Sequence, residues 1–188
     1  MQFLAKGKRG EVYTEKYKGK RVVIKRERED STAINRLENE AYWLQRLNKK
    51  KIGPKFIKLE QGNLIMEYVQ GEPIGEYLEK KKLTKPLAKE ILEQCREMDK
   101  LQVNKLEMNH PTKHILIKKG EASRKTVVMI DFERCKQTEN PKNVTQFCQY
   151  ILKYQKKINK KRLKGLLQEY KKDYSSLSFS RLLNILFN

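Results

Sequence analysis

The stretch VVMIDFERC, residues 127–135, is a β-branched apolar run that ends abruptly in a carboxylate, Asp131. Such a run predicts a buried strand, which places Asp131 at the edge of a core. A carboxylate that is buried without a partner is costly, by several kcal/mol. The stretch therefore predicts that a metal ion or a cationic side chain lies next to Asp131.

The loop upstream of this strand, LEMNHPTKHILI, contains both histidines of the chain, His110 and His114. Glu107 and Asn109 lie beside them, and a proline interrupts any helix. The loop precedes two short apolar strands, HILI and VVMI, and we expect it to lie where the second half of the chain faces the first. The alternative is a structural turn in which both histidines are satisfied by hydrogen bonds in a core.

A glycine-rich hairpin opens the chain, with LAKGKRGEVY leading into a strand that ends VVIK at Lys25. Gly7 and Gly10 would let backbone N–H groups approach a phosphate closely, because no side chain intervenes. Lys25 could then reach the same phosphate, and Glu40, inside the following helix, is a suitable partner to orient it. Alone, such a hairpin is more often an ordinary turn, and its weight depends on the order of the segments that follow.

Hydrophobic periodicity predicts an α+β fold, with a β-rich first half that contains one helix and a helical second half that contains a two-strand insert. Ser31 or Thr32 is a candidate cap for the first helix, and Thr84 for the second. The hairpin turn is expected at Lys18 and Gly19. The predicted helices cover about residues 33–50, 84–105, 141–156, 158–172 and 178–187.

The chain of 188 residues has a formal net charge of +20, from 43 Lys and Arg against 23 Asp and Glu. An excess of this size favours contact with phosphates, whether they belong to a nucleotide, a nucleic acid or an anionic lipid. The lysines are spread along the whole chain. A charged surface of the kind found in proteins from hot environments is therefore an equal alternative.

Cysteine usage and hydropathy indicate the compartment. Cys95, Cys135 and Cys148 show no C-x-x-C spacing, and their odd number disfavours a disulfide framework, which favours a reducing cytoplasm. No run approaches the 18 apolar residues of a membrane span, and the first ten residues lack the apolar core of a signal peptide. We expect a soluble cytoplasmic protein without a membrane partner.

Taken in order, KGKRGEV, VVIK, NEAYWLQRL, IMEYV and IDFE resemble the motifs of the protein-kinase fold, in particular of its compact atypical members. These members include the RIO-type kinases and the small kinase associated with the KEOPS complex. The loop EMNHPTKH looks most like that of a group of short archaeal Ser/Thr kinases. The resemblance spans about residues 4–150 and implies a β-rich N-lobe over residues 1–69 and a truncated helical C-lobe over residues 70–188. It also implies a protein or RNA partner, with tRNA or ribosomal RNA as the setting.

The resemblance further implies which residues bind ATP. KGKRGEV is similar to the glycine-rich loop that covers the phosphates, and VVIK to the strand whose lysine contacts them. NEAYWLQRL is similar to the helix whose glutamate pairs with that lysine, which points to Glu40, with Glu38 less favoured. IMEYV is similar to the hinge that meets the adenine. The implied nucleotide-binding residues are Gly7, Gly10, Val12, Lys25, Met66, Glu67 and Val69.

The metal ligands follow from two further motifs. IDFE resembles D-F-G, which makes Asp131 a ligand of Mg²⁺ and puts Glu133 in place of the glycine. Aligned on HILI, the polar loop resembles the kinase catalytic loop, and His114 falls at the position of the second metal-binding residue, an asparagine. An imidazole suits Mn²⁺ better than Mg²⁺, so that Mn²⁺ is an alternative cofactor.

The same alignment places Asn109 where kinases have the catalytic aspartate. A neutral amide cannot accept a proton, although it can orient a hydroxyl. His110 or Glu107 is the alternative base. Phosphoryl transfer depends mostly on positioning and charge stabilisation, so the missing aspartate does not exclude activity. The implied catalytic residues are Lys25, Glu40, Asn109 and Asp131.

Several functions stay open at this point. The chain is an active atypical Ser/Thr kinase or ATPase, a nucleotide-binding pseudokinase that acts through a partner, or a basic RNA-associated scaffold. An ATP-binding protein should lose nucleotide affinity when Lys25 or Asp131 is replaced by alanine. An RNA-binding module should instead be insensitive to both changes and lose affinity steeply with salt.

The final stretch, SFSRLLNILFN, is amphipathic. Stretches of this kind dock a partner or a membrane, or pack onto their own domain. We expect it to pack onto the helical half of the chain.

Overall fold

A computed structural model describes residues 1–6, 10–28, 35–118, 126–155 and 157–187. The strands are β1 Gln2–Lys6, β2 Gly10–Tyr17, β3 Lys20–Glu27, β4 Phe56–Glu60, β5 Asn63–Glu67, β6 Gly71–Pro73, β7 Val103–Asn104, β8 Ile115–Lys118, β9 Val127–Met129 and β10 Lys136–Gln137. The helices are α1 Arg36–Asn48, α2 Ile74–Lys80, α3 Lys85–Lys100, α4 Asn143–Ile151, α5 Lys160–Asp173 and α6 Ser176–Phe187. An antiparallel sheet thus precedes a mainly helical part, and the predicted α+β fold is confirmed.

Strands β1 to β5 form one antiparallel sheet in the order β1-β2-β3-β5-β4. The turn between β2 and β3 lies at Lys18 and Gly19, as predicted, and both have positive φ, which two-residue hairpin turns require. The register pairs Lys25 with Val12 on one side and with Leu64 on the other. Lys25 therefore lies in an interior strand, where the alternation of side chains fixes the face that it occupies.

Helix α1 packs on this sheet through side chains at helical spacing. Glu40 lies among them and is only 1% exposed, so the helix carries one carboxylate into the interior on its apolar face. The candidate caps Ser31 and Thr32 lie outside the described residues. The buried apolar residues of α1 are Leu37, Ala41, Trp43, Leu44 and Leu47.

The insert in the second half has three strands rather than the predicted two, because β8 pairs with β6 as well as with β9. Strand β6 was missed since it lies in a Gly- and Pro-rich segment that is typical of a break. Gly71 explains its composition: a Cβ at this position would lie 3.0 Å from the carbonyl oxygen of Ile117. Because Gly71 has no side chain, β6 can pair closely with β8.

The helix predicted over residues 84–105 begins as expected and ends five residues early. The Thr84 hydroxyl accepts a hydrogen bond from the Leu87 amide at 3.4 Å, which confirms the cap. The helix ends at Lys100, and Gln102 has a positive φ. Strand β7 then pairs with β10. Apolar periodicity continues past the helix end, so it does not mark the point where the chain leaves the helix to pair with β10.

Helices α4, α5 and α6 occupy the segments in which helices were expected, although α4 ends at Ile151 rather than near residue 156. Helix α6 buries Phe179, Leu182 and Leu186 in the core. The prediction that the final stretch packs onto the helical half is therefore confirmed. None of the helices in the described part of the chain is both long enough and apolar enough to cross a bilayer.

Candidate functional site

The Lys25 ammonium meets a buried carboxylate across the sheet–helix interface. Its Nζ lies 2.8 Å from both Oε1 and Oε2 of Glu40. Oε1 also accepts a hydrogen bond from the backbone amide of Phe132, at 3.2 Å. Glu40 is therefore satisfied from two sides, and it links the sheet to the segment that follows Asp131. A buried carboxylate needs such partners.

Asp131 lies on the other side of the same ammonium, with Oδ1 3.3 Å from Nζ of Lys25. The cationic partner that the sequence predicted for this carboxylate is thus present. The backbone of Asp131 has φ 65°, which is uncommon for a residue other than glycine. Backbone strain of this kind clusters at functional sites, where the surrounding structure holds it in place.

The electrostatics keep this pair charged at neutral pH. Burial alone would lower the pKa of Lys25, but Glu40 and Asp131 outweigh it and raise that pKa. Burial alone would raise the pKa of Asp131, but Lys25, Lys105 and His114 outweigh it and lower that pKa. The site therefore presents a fixed cation beside a fixed anion.

His114 lies between two carboxylates, with one ring nitrogen towards each. Its Nδ1 is 3.2 Å from Oε2 of Glu107, and its Nε2 is 3.6 Å from Oδ2 of Asp131. One ligand atom of each of these three residues lies within 4.8 Å of the other two. Burial and the nearby Lys105 cation lower the pKa of His114, so that the imidazole is neutral at pH 7.

A neutral imidazole has one N–H and one lone pair, so it can donate to only one of these carboxylates. The other nitrogen faces a carboxylate oxygen without a proton between them. Within the described part of the chain, the buried Nδ1 makes no well-aligned hydrogen bond. A divalent cation would replace this repulsion with coordination by an imidazole nitrogen and carboxylate oxygens, a donor set that fits Mn²⁺ well. The residues present therefore fit a metal ion.

Lys105 is a buried lysine that contacts the backbone of Asp131. The sequence did not predict it as a site residue. It is 2% exposed, and its Nζ donates to the carbonyl oxygen of Asp131 at 2.5 Å and lies 5.0 Å from the centre of the Phe132 ring. Burial lowers its pKa. Nothing in the local sequence distinguishes this lysine from the many exposed ones, because its position depends on the β7–β10 pairing.

A buried polar network fixes the backbone that leads into the polar loop. The Asn143 amide accepts from the backbone N–H of Lys105 at 2.8 Å and donates to the Val103 carbonyl at 2.6 Å. Asp99 accepts from the side chain of Asn143 at 2.7 Å and from the Tyr170 hydroxyl at 3.0 Å. Burial raises the pKa of Asp99 to about 6 despite these donors. The network connects α3, α4 and α5 to the residues beneath the site.

The segment after Asp131 is fastened to helix α1. Arg36 forms an ion pair with Glu133 at 3.0 Å, and the Asn39 side chain donates to the Glu133 carbonyl at 2.7 Å. Glu133 occupies the place where the kinase motif has glycine. These contacts hold the segment and the helix together, so the helix that carries Glu40 is anchored to the segment that carries Asp131.

Lys25 and Asp131 border a cavity of about 220 Å³, which we call the Lys25 cleft. Gly10, Val12, Lys25, Asp131 and Glu133 contribute to its wall. A Cβ at position 10 would lie 2.8 Å from the carbonyl oxygen of Arg26, so strand pairing already requires this glycine. The other glycine expected to contact phosphate, Gly7, lies outside the described residues.

Four further residues that the resemblance implied lie elsewhere. Met66 is buried in β5, Glu67 is exposed and Val69 is half-buried, and none is among the described residues that line the Lys25 cleft. The amide of Glu67 donates to the Lys55 carbonyl at 2.8 Å, so an adenine contact from Glu67 would use its carbonyl oxygen. Asn109 is exposed, and it is Glu107 that faces His114.

The fold is similar to that of protein kinases of known structure. The alignment with the Rio2 kinase of Chaetomium thermophilum, solved as an ADP/Mg²⁺-phosphoaspartate complex, has a TM-score of 0.57 and 16% identity and covers 80% of this chain and 53% of that one. The alignment with the autoinhibited serine kinase domain of the giant muscle protein titin has a TM-score of 0.57 and 17% identity and covers 73% of this chain and 45% of that one. This chain thus spans about half the length of these kinases. No protein-family model and no curated protein sequence matches it. The similarity shows a protein-kinase-like fold.

Proposed function

We propose that this chain is a small atypical kinase, of the compact kind found among archaeal, RIO-type and KEOPS-associated kinases, that transfers a phosphoryl group from ATP to a Ser or Thr hydroxyl or to water. The observation that carries the proposal is the position of Lys25 between buried Glu40 and Asp131 at a cleft. A fixed ammonium beside a metal-binding carboxylate is what phosphate binding requires.

Lys25 is the phosphate-binding group in this proposal, and Glu40 is a positioning residue that holds it. Gly10 and Val12 lie on the wall of the cleft where the phosphates would enter. A cleft of about 220 Å³ is smaller than the usual ligand pocket, so it takes the phosphate end of the nucleotide. The adenine contacts of Met66, Glu67 and Val69, and a phosphate contact of Gly7, stay predictions.

Asp131 and His114 would hold the divalent cation, Mg²⁺ or Mn²⁺, with Glu107 beside them. Such an ion neutralises charge on the transferring phosphoryl group. The neutral imidazole of His114 favours Mn²⁺ over Mg²⁺, since Mg²⁺ prefers ligands that are all oxygen. Lys105 fixes the Asp131 backbone and thereby the direction of its carboxylate.

We assign the proton-accepting role to Glu107 rather than Asn109, because the Glu107 carboxylate lies 3.2 Å from His114 and can accept a proton, whereas the neutral amide of Asn109 cannot. The oxygen of the acceptor hydroxyl bonds to the γ-phosphorus as the bond from that phosphorus to the bridging oxygen breaks. ADP leaves with the electron pair, and Glu107 takes the hydroxyl proton. Arg134 holds the other Glu107 oxygen at 2.7 Å and keeps the carboxylate in place.

The test is transfer of the γ-phosphate to protein and release of ADP, measured with Mg²⁺ and with Mn²⁺. We expect Lys25→Met and Glu107→Gln each to lower turnover about 100-fold or more, since a positioned base or phosphate-binding cation contributes at least that much. Asn109→Ala is the control from the same loop and should stay within a few-fold of wild type. A loss confined to Asn109→Ala would reverse the assignment.

A second candidate function is a nucleotide-binding pseudokinase that acts through a partner in the cytoplasm. The amide at Asn109, where kinases have an acid, favours it. Nucleotide binding without turnover in either metal would establish this alternative. An RNA-associated role, suggested by the +20 charge, predicts affinity for RNA that falls steeply with salt and does not depend on Lys25.

A further inference from the structure

A second concave surface lies on the helical part of the chain, between α5 and α6. It is open to solvent and has a volume of about 1270 Å³, and none of the described residues that line it also lines the Lys25 cleft. This volume exceeds that of ordinary small-molecule pockets, which hold roughly 300–1,000 Å³. We call it the α5–α6 groove.

The floor of the groove is mainly aliphatic. Ile158, Leu166, Ile185 and Phe187 line it, and all four are only half-buried although each packs against the core. Contiguous apolar surface that stays accessible on a helical lobe is typical of a protein interaction site.

The rim of the groove is basic. Among the described residues, Lys85, Lys157, Arg162 and Arg181 line it, and Glu169 is the one carboxylate. Glu169 is already paired with Arg181 at 3.4 Å. The surrounding segment is the most basic part of this region, with nine Lys and Arg against one Glu over residues 153–172. The electrostatic potential at the rim therefore favours a ligand with carboxylates.

A glycine in the middle of α5 is the third observation. Gly165 lies three residues after Arg162 and four before Glu169, and so it shares the face of α5 that lines the groove. Glycine inside a helix costs about 0.5–1 kcal/mol relative to alanine. Packing among the described residues does not require it, since a Cβ at position 165 would meet none of their atoms within 4 Å. Its absence of a side chain lets the backbone of another segment approach α5 closely.

We propose that the α5–α6 groove docks an amphipathic helix of a protein partner, with an apolar stripe on Ile158, Leu166 and Ile185 and acidic residues towards Lys157 and Arg162. An apolar floor with close backbone approach is the geometry by which a groove receives a helix. Single-stranded RNA would instead need a succession of aromatic planes for its bases. The groove has two aromatic rings, Tyr154 and Phe187, and its other apolar lining residues are aliphatic: Ile158, Leu166, Ile185 and Leu186. The proposal stands independently of the proposed kinase activity.

The experiment is a selection from a display library of random 16-residue peptides on the full chain. We expect enriched peptides to combine Asp or Glu with apolar residues spaced i, i+3 or i+4, and i+7. Gly165→Phe adds a bulky ring beside Arg162, Leu166 and Glu169, at a position where a Cβ meets none of the described atoms within 4 Å, and it should abolish their binding. Lys157→Glu with Arg162→Glu should weaken it at least tenfold. Lys160→Glu with Lys164→Glu makes the same charge change on the exposed face of α5 opposite Arg162, and it should alter binding less than threefold.

Three results would overturn the proposal. No enrichment, or enrichment without an acidic and apolar pattern, would show that the groove does not select a helix. Equal binding to wild type and Gly165→Phe would place the binding elsewhere. Binding of a fluorescent 20-nucleotide oligouridine that is weakened more by Lys157→Glu with Arg162→Glu than by Lys160→Glu with Lys164→Glu would show that the groove binds RNA instead.

Discussion

The Lys25 cleft and the α5–α6 groove both carry charge on this strongly basic chain, and they carry it in opposite ways. In the cleft, Lys25 is paired with Glu40 and Asp131 inside a network that is largely buried. In the groove, exposed basic side chains surround an apolar floor. The fold holds the charges of the cleft in fixed positions, which suits bond-making chemistry. The positive charges of the groove lack such internal pairing, so a partner with acidic groups would neutralise them. Substitutions should therefore cost stability in the cleft and cost little or none in the groove.

The largest effect should come from Glu40→Gln. Removing one partner of a buried ion pair leaves an uncompensated charge and costs about 3–5 kcal/mol. We expect chemical denaturation to show a loss of this size, together with the loss of nucleotide turnover. Glu38→Gln is the matched control on the exposed face of the same helix, and it should change stability by less than about 0.5 kcal/mol. Equal effects of the two changes would refute the idea of a preorganised cleft.

Asn143→Ala should lower the free energy of unfolding by somewhat less than Glu40→Gln does, about 2–4 kcal/mol. It leaves the Val103 carbonyl without its side-chain donor and the Lys105 amide without its acceptor in a buried network. Asn140→Ala, on the exposed segment just before α4, should have almost no effect in the same urea titration. If Asn143→Ala matched Asn140→Ala, the support beneath the polar loop would not depend on this network.

The pH dependence of stability should carry the signature of Asp99. Its pKa in the folded chain is about 6, above its ordinary value of 3.8. The folded state therefore binds the proton more tightly than the unfolded state does, and the stabilisation is fully present below about pH 4. It is lost as pH rises through 6, by up to about 3 kcal/mol. An NMR titration of the Asp99 carboxyl carbon checks this directly, and a midpoint at or below 4 would contradict it.

The smallest change in stability should be a gain rather than a loss. A Cβ at position 165 of α5 would meet none of the described atoms within 4 Å. Gly165→Ala should therefore raise the free energy of unfolding by about 0.5–1 kcal/mol through helix propensity alone. Gly75→Ala is the contrasting helical glycine, because a Cβ there would lie 3.0 Å from the Thr112 side chain. Thermal unfolding should show Gly165→Ala more stable than wild type and Gly75→Ala not more stable. A destabilised Gly165→Ala would mean that this glycine serves internal packing.

The sequence predicted the first half of the chain better than the second. Local sequence patterns determine the hairpin at Lys18 and Gly19 and the amphipathic face of α1, so both could be predicted from the sequence alone. The carboxylate of Asp131 needed a partner, and the sequence predicted that need on energetic grounds alone. The resemblance to kinases selected Lys25 and Glu40 among many charged residues, and the structure brings these two side chains to 2.8 Å.

The parts that were missed depend on contacts between distant segments. Strand β6 forms only because β8 is available to pair with it. Helix α3 ends at Lys100 because β7 pairs with β10, and the same pairing buries Lys105. Asn109 stays a prediction as a catalytic residue, and Glu107, the alternative base named from the sequence, is the one that lies beside His114.

The most direct test of the central claim is thermal unfolding of wild type and of Asp131→Asn with saturating ATP plus Mg²⁺ or Mn²⁺. Ligand at about a hundred times its dissociation constant adds roughly 2.7 kcal/mol, which shifts the Tm of a chain this size by about 5–10 °C. We expect a metal-dependent shift of this size in wild type, at least as large with Mn²⁺ as with Mg²⁺, and no shift in the variant. No shift in wild type with either metal, or an equal shift in Asp131→Asn, would contradict it.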